Sequence, residues 1–209
     1  MSDEDASAGA TLLLTINQSG LIFAHSMHVG TFNVHPPGND DDKAPRAAAA
    51  VGYFAAELAR IVAQEVMILS RVIPSFINTS LGRDPISDDW NAFRPPQPSL
   101  YPTAAEFRDL LPEDGTLLVE YYDSLNGIRD ILDAWTGRES VADVNAWNVL
   151  MQTLQKSLQL GLSAVERFCP DRQFSSTSPA GGTLADNIKR VDASVKNALK
   201  AHLARHGVS

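Results

Sequence analysis

A glutamate interrupts the apolar stripe of the first long helix that the sequence predicts. Glu65 falls seven residues after Leu58, where the pattern begun by Val51 and Phe54 requires an apolar side chain. A carboxylate on a buried helix face would have a raised pKa or an arginine partner, and such groups cluster at functional sites. A slight rotation of the helix would instead leave Glu65 at the edge of the stripe, and we favour this second interpretation.

Two adjacent tyrosines are the next candidates for chemistry. Tyr121 and Tyr122 stand between Glu120 and Asp123, a combination that could support proton transfer. Tyr121, however, belongs to an apolar stripe and Tyr122 flanks it, so we assign both rings to core packing. If Glu65 does face the interior, Tyr121 or a histidine could face it there, and Glu65 with Tyr121 forms our candidate ligand-binding site.

The histidines supply one pair with metal-ligand spacing. His202 and His206 are four residues apart on the last predicted helix, which places both imidazoles on one face. The Glu-x-x-His pattern of di-iron bundles is absent from the sequence. Histidine is also favoured at a helix C-terminus by the helix dipole alone. We therefore keep His202 and His206 as candidate metal ligands and expect neither a metal nor another cofactor.

The same last helix carries a basic face. Residues 183–209 contain five basic and two acidic side chains, a net charge of +3. Four of the basic residues are candidate contacts to an anionic surface or to an acidic partner helix; they are Lys189, Arg190, Lys196 and Lys200. A solvated helix face explains the same charges without a partner.

Composition and missing motifs exclude several classes of function. The chain of 209 residues has a net charge of −8, which argues against nucleic acid as the main partner. Its single cysteine excludes an internal disulfide. Gly-rich phosphate loops, H-E-x-x-H, G-x-S-x-G and the dinucleotide fingerprint are all absent from the sequence. We therefore favour a function other than catalysis and expect a cytoplasmic protein.

The elements that must position these residues are helices. The patterns predict an all-α, up-and-down bundle of three long helices at about 44–80, 116–136 and 140–168, with a short helix at 103–111 and a last helix at 183–206. The third helix carries a strict seven-residue repeat, called here the 144–168 stripe; it comprises Val144, Trp147, Met151, Leu154, Leu158, Gly161, Val165 and Phe168. A second such repeat runs from Leu118 to Trp135, and the short link between the two helices predicts an antiparallel hairpin.

Local signals mark the helix ends. Capping boxes that begin at Thr103, Ser140 and Thr183 each predict a helix start. Pro74 should end or kink the first helix, with Gly82 as the final terminator, and residues 112–115 read as a corner. The proline-rich stretch 83–102 is predicted to be irregular, with its aromatic side chains tacking it onto the bundle.

The N-terminal segment stays open to three interpretations. Residues 11–39 contain no Lys, Arg, Asp or Glu, which raises the question of a membrane span, although polar side chains interrupt the apolar clusters. A β-hairpin and a poorly packed extension are the alternatives. The predicted division is an extension with an acidic linker at 1–43, a bundle at 44–169, a flexible linker at 170–182 and a basic helix at 183–209.

Three functional hypotheses follow from this organisation. We favour a non-enzymatic scaffold or interaction module that self-associates through its heptad-patterned helices and uses the basic C-terminal helix to dock on a protein partner. The second is a bundle that binds a small molecule or a metal and holds Glu65 in an interior cavity. This hypothesis includes an enzyme that uses Glu65. The third is a helical domain tethered to a membrane by residues 11–34.

Overall fold

Four α-helices and two short 3₁₀ helices form the part of the chain that the computed structural model describes, residues 43–174 and 181–205. The α-helices are α1 (Lys43–Ser80), α2 (Pro112–Trp135), α3 (Val144–Phe168) and α4 (Leu184–Arg205), and the 3₁₀ helices are Trp90–Phe93 and Ala105–Asp109. Over these residues the only β pairing is an isolated bridge between Gln173 and Thr183. The all-α prediction is confirmed. The proposed hairpin, membrane span and extension of the N-terminal segment lie outside the described residues.

Helix α3 is the centre of the bundle because it packs against α1, α2 and α4. The 144–168 stripe supplies the shared core, and Trp147, Met151, Leu154 and Val165 are each 0% exposed. The seven-residue repeat is therefore satisfied by helices of the same chain. Within the stripe only Val144 is partly exposed.

Helices α2 and α3 form the predicted antiparallel hairpin. Contacts pair the start of α2 with the end of α3, through Asp114 and Arg167, and the middle of each helix, through Ser124 and Ser157. The numbers rise along one helix as they fall along the other, which is the signature of antiparallel neighbours.

The segment 81–111, called here the return segment, runs back along α1 toward the start of that helix. Phe93 lies beneath the guanidinium group of Arg71, whereas the later Ser99 binds Glu57, about four turns nearer the start of α1. Phe107 then packs edge-to-face on Phe54. The connection therefore covers α1 from Arg71 back to Phe54 before α2 begins at Pro112.

The return segment is tacked onto the bundle by its aromatic residues, as predicted. Trp90 and Phe93 are 3% and 0% exposed, and the indole N–H of Trp90 donates to the Glu139 carbonyl at 3.0 Å. The segment is less irregular than expected, because Asp89 caps a 3₁₀ turn at its centre by accepting from the Asn91 N–H. Short 3₁₀ turns of this kind commonly serve as connectors.

One predicted helix boundary is confirmed and two need correction. The first helix, predicted at about 44–80, is α1 and continues through Pro74 to Ser80, since buried Ile73 and Phe76 on either side hold the turn together against the loss of one N–H group. Helix α2 begins at Pro112 instead of Thr116, because proline suits the first helical position. Helix α3 is capped by Asp143, not by Ser140.

Of the other sequence signals for helix ends, two are confirmed and one is wrong. Thr183 and Asp186 form the predicted capping box of α4, with reciprocal bonds of 3.0 and 3.1 Å. Gly82 ends α1 with a φ of 68°, as its position predicts. At Thr103 the capping prediction is wrong, because the following 3₁₀ helix starts after Ala104 and has no side-chain cap.

The last helix belongs to the same core. Ile188, Val191 and Val195 are buried and join the cluster that α1 and α3 form. Residues 175–180 of the predicted linker lie outside the described residues, and the domain boundaries proposed from the sequence stay predictions.

Candidate functional site

Glu65 lies in the interior of the bundle, 0% exposed. The preferred prediction, which placed it at the edge of the apolar stripe, is therefore wrong. The reason is that α1 is covered on several sides at once, by α3, by α4 and by the return segment. The buried face of α1 is therefore wider than a single apolar stripe, and Glu65 lies within it.

Hydroxyl groups from the α2/α3 hairpin converge on this carboxyl group. Tyr121 donates from its hydroxyl to Glu65 Oε2 at 2.8 Å. The Ser157 hydroxyl group also lies next to Glu65 and lowers the pKa of its carboxyl group. Ser157 Oγ is in turn 2.8 Å from Ser124 Oγ. Glu65 Oε1 has no hydrogen bond of good geometry within the described structure. The four residues are called here the Glu65 cluster.

A glycine of the 144–168 stripe makes room for Tyr121. A Cβ atom added at Gly161 would lie 3.0 Å from Cε2 of the Tyr121 ring and 3.5 Å from its Cδ2 and Cζ atoms. The ring therefore rests on the backbone of α3, in a space that a larger residue would fill. The sequence pattern placed Gly161 on the stripe but did not indicate what it accommodates.

Burial dominates the electrostatics of the cluster. Removal from water raises the pKa of Glu65 from 4.5 to about 7, against the smaller, opposite effects of the Ser157 and Tyr121 hydroxyl groups. The pKa of Tyr121 lies well above its usual value, chiefly through burial and then through the neighbouring carboxyl group. The site can therefore bind and release one proton near neutral pH while Tyr121 keeps its own.

The predicted pair of Glu65 and Tyr121 thus exists as a direct contact, but its two members fill the space between them. Tyr121 is 0% exposed, and its hydroxyl group occupies the position that a ligand would take next to Oε2. The assignment of these residues to ligand binding stays a prediction. Core packing, the preferred interpretation of Tyr121 and Tyr122, agrees with the complete burial of both rings.

A second buried carboxylate was not anticipated from the sequence. Glu57 is 7% exposed and accepts from the N–H groups of Ser99 at 2.8 Å and Leu100 at 3.1 Å. Its oxygen Oε2 also accepts from the Ser99 hydroxyl group. Glu57 thereby fastens the return segment to α1. No sequence signal could reveal this contact, because the donors are backbone groups more than forty residues away.

A third buried carboxylate joins the ends of the hairpin. Asp114, 1% exposed, accepts two bonds from the guanidinium group of Arg167, at 2.6 and 2.8 Å. The bidentate geometry is that of a strong charge-assisted pair, and the carboxylate raises the pKa of Arg167. The sequence placed Asp114 in a corner before α2 and so missed its role in the first helical turn.

Only His202 of the two candidate metal ligands lies within the described residues. The His202 ring packs against Phe76, with the ring centroids 5.1 Å apart, and His206 lies outside the described residues. Over residues 43–174 and 181–205, no group of three or more His, Cys, Asp or Glu side chains could hold a metal ion.

The predicted basic face of α4 is partly neutralised by the chain itself. Lys189 pairs with Glu166 at 3.0 Å and Lys196 with Asp192 at 2.6 Å. Lys200 is exposed. Arg190, in contrast, hydrogen-bonds to the uncharged Asn187 and lines a groove on the surface of the bundle.

That groove runs between α1 and α4 and has a volume of about 600 Å³. Its apolar lining includes Val66, Ile73, Val191, the ring of Phe174 and Met67, which is 51% exposed. Two arginines stand in it, Arg71 from α1 and Arg190 from α4. We call this feature the α1/α4 groove. It depends on the packing of two helices that are far apart in the chain, so the sequence pattern did not indicate it.

Helix α1 is also long and apolar enough to cross a membrane, by length and composition alone. Half of its most apolar 18-residue window is buried inside the bundle, as in the core helix of a helical protein.

The described residues define a four-helix fold with buried carboxyl groups and an amphipathic surface groove between α1 and α4. Comparison with known proteins adds no family to this description: no family model, no curated protein and no solved structure matches the chain.

Proposed function

We propose that this protein is a non-enzymatic interaction module that binds an acidic amphipathic helix of a partner protein in the α1/α4 groove. The observation that carries the proposal is the combination of two arginines with an apolar lining in which Met67 is 51% exposed and Phe174 is partly buried. Grooves of this chemistry accept the apolar face of a helix, whose anchors recur at every third or fourth residue.

The charges of the groove favour an acidic partner. Arg71 donates to the Ala92 carbonyl at 3.3 Å and lies over the Phe93 ring, and Arg190 donates to Asn187 at 3.0 Å. Both guanidinium groups are thus held in place before any partner arrives. Asp186 lies near Arg190 and offsets part of its charge, so the groove is moderately basic. Carboxylates along one edge of a bound helix would complement both arginines.

The apolar anchor of the partner would cover Met67. Methionine is unbranched and polarisable, and it adapts to irregular partners at binding surfaces. Met67 is 51% exposed, so covering the rest of it contributes roughly 0.8–1.5 kcal/mol, which corresponds to about 4- to 12-fold in affinity. Placing a charge at position 67 should remove that contribution.

Binding of designed peptides to the full-length protein tests the proposal. The probes are a fluorescent Leu/Glu amphipathic helix and its Leu/Lys counterpart of equal length, measured by anisotropy. We expect the acidic peptide to bind at least about 10-fold more tightly than the basic one, and Met67→Glu to weaken it about 4-fold or more. Ile86→Glu is the matched control, since Ile86 is also 51% exposed but lies outside the groove lining.

Equal effects of Met67→Glu and Ile86→Glu, or equal binding of the two peptides, would contradict the proposal. Native mass spectrometry of the same variants tests whether a second copy of the chain occupies the groove instead. A dimer that Met67→Glu dissociates, together with no peptide binding, would assign the groove to a second copy of the chain. Self-association through the heptad stripes has little support, because the chain's own helices bury them.

The two alternative functions have less support. The ligand-binding hypothesis required an interior cavity around Glu65, whereas Tyr121 and Gly161 close the space beside it. The membrane tether depends on residues 11–34, which lie outside the described structure.

A further inference from the structure

One carboxyl group lies at the junction between α1 and the α2/α3 hairpin. Glu65 comes from α1, its hydrogen-bond donor Tyr121 from α2, and Ser157, 1% exposed, from α3. All three side chains are enclosed, so a charge on Glu65 would be separated from water by every one of these helices. The protonation state of this one group therefore bears on how α1 packs.

The groups that face Glu65 do not balance a negative charge. From α2 the facing titratable group is Tyr121, and from α3 it is the neutral hydroxyl group of Ser157. On α1 itself the nearest cation in sequence is Arg60, which is exposed and bonded to Gln64 at 3.3 Å. Within the described residues Glu65 makes no ion pair. An ionised Glu65 would thus rely on hydroxyl donors alone.

The hydroxyl groups of the cluster compete for few protons. Ser124 Oγ lies 2.6 Å from the Tyr121 carbonyl oxygen and 2.8 Å from Ser157 Oγ, and either serine can donate in the second contact. When Ser124 donates to the carbonyl oxygen, Ser157 has one proton to share between Ser124 and Glu65. An ionised Glu65 would then gain Ser157 as a donor only at the expense of the serine pair. A protonated Oε1 is itself a donor, and it can use the free lone pair of Ser157.

We propose that the Glu65 cluster is a proton-controlled lock: the protonated carboxyl group holds α1 on the α2/α3 hairpin, and its ionisation loosens α1. The proposal is independent of the peptide-binding function, because none of the four residues lines the α1/α4 groove. It concerns the local opening of one helix–helix contact, which can be measured without a ligand.

The sign of the pH dependence follows from proton linkage. The pKa of Glu65 is about 7 in the folded state and 4.5 in the ordinary, solvated state that opening restores. The folded state thus binds the proton more tightly, so protection from opening is complete below about pH 4.5, is lost progressively between about 4.5 and 7, and levels off above about 7. Between pH 5.5 and 8.5 these two values predict an increase of about 30-fold in the opening equilibrium.

Hydrogen exchange of the full-length protein measures this opening directly. Protection factors of amides in the middle of α1 would be compared in wild type and Glu65→Gln between pH 5.5 and 8.5, after correction for the intrinsic rate. Glutamine has nearly the same shape and does not ionise, so the ratio of wild-type to variant protection should fall about 30-fold over this range. Tyr121→Phe removes a donor to the carboxylate, so it should move the midpoint of the fall to higher pH.

A ratio that stays constant with pH would overturn the proposal, as would a midpoint that Tyr121→Phe leaves unchanged. If the glutamine variant does not fold, the carboxyl ¹³C signal of Glu65 in the wild-type protein gives the same answer. A titration midpoint near 7, with protection in α1 lost as the pH rises toward that midpoint, supports the lock. A midpoint at or below 4.5 excludes it.

Discussion

Replacing Gly161 by alanine should destabilise the bundle, even though alanine is the better helix former. The added Cβ would lie 3.0 Å from Cε2 of Tyr121, closer than ordinary van der Waals contact. The ring cannot move aside freely, because it is 0% exposed and its hydroxyl group is fixed to Glu65 at 2.8 Å. Relief of the contact therefore requires a shift of α3 or the loss of that hydrogen bond.

The magnitude comes from two opposing terms. Overpacking a filled core costs about 1–3 kcal/mol, whereas a glycine-to-alanine change within a helix contributes about 0.5–1 kcal/mol of stability. The net expectation for Gly161→Ala is a loss of roughly 1 kcal/mol in the free energy of unfolding, within a range of about 0–2.5 kcal/mol.

Gly127→Ala is the matched control. Gly127 lies inside α2, is exposed, and has nothing within 4 Å of an added Cβ. Only the propensity term applies to it, so this variant should gain about 0.5–1 kcal/mol. The same substitution is thus expected to change stability in opposite directions at two helical sites of one bundle.

Urea denaturation followed by circular dichroism at pH 6, where Glu65 holds its proton, measures both free energies. If Gly161→Ala proves as stable as Gly127→Ala, the argument from close contact with Tyr121 is refuted. A double-mutant cycle with Tyr121→Leu adds a test of the mechanism. Removing the ring should remove most of the alanine penalty at position 161.

Two further predictions concern the ends of the helices and the return segment. Thr183→Ala removes the capping bond that forms in the structure. It should therefore lower the free energy of unfolding by about 1 kcal/mol and increase amide exchange in the first turn of α4. The control is Thr103→Ala, at the capping box that does not form, which should change the free energy of unfolding by less than about 0.5 kcal/mol. Glu57→Leu should leave the N–H groups of Ser99 and Leu100 without their acceptor, at a cost of about 1–3 kcal/mol. Limited proteolysis should then cut within 95–101 faster than in wild type, and an unchanged cleavage rate would show that Glu57 does not hold the segment.

The hydrophobic periodicity predicted the helices and the contacts between helices that are adjacent in the chain. The two seven-residue repeats and the short link between them were enough to predict the α2/α3 hairpin, because both helices bury one face against each other. The hydrophobic pattern also identified Glu65 as an exception. It could not decide whether the exception was buried, since that depends on how many partners surround α1.

The hydrophobic pattern could not predict contacts between segments that are distant in the chain. Glu57 is satisfied by backbone N–H groups, which every residue but proline carries and no sequence pattern distinguishes. The α1/α4 groove arises from the relative rotation and spacing of two helices separated by more than a hundred residues. The role of Asp114 was not predictable for a local reason. Pro112 is compatible both with a corner and with the first position of a helix, and only the second places Asp114 in the first turn of α2.

The order of the helices along the chain has a consequence for synthesis. The most apolar helix, α1, ends at Ser80, whereas its main partner α3 begins at Val144. The ribosome must add more than sixty residues before that partner starts to emerge, which takes roughly 3 to 13 seconds at about 5–20 residues per second. During that interval the nascent chain presents a helix that meets the length and hydropathy requirements of a membrane span, with the partner that later covers it not yet made.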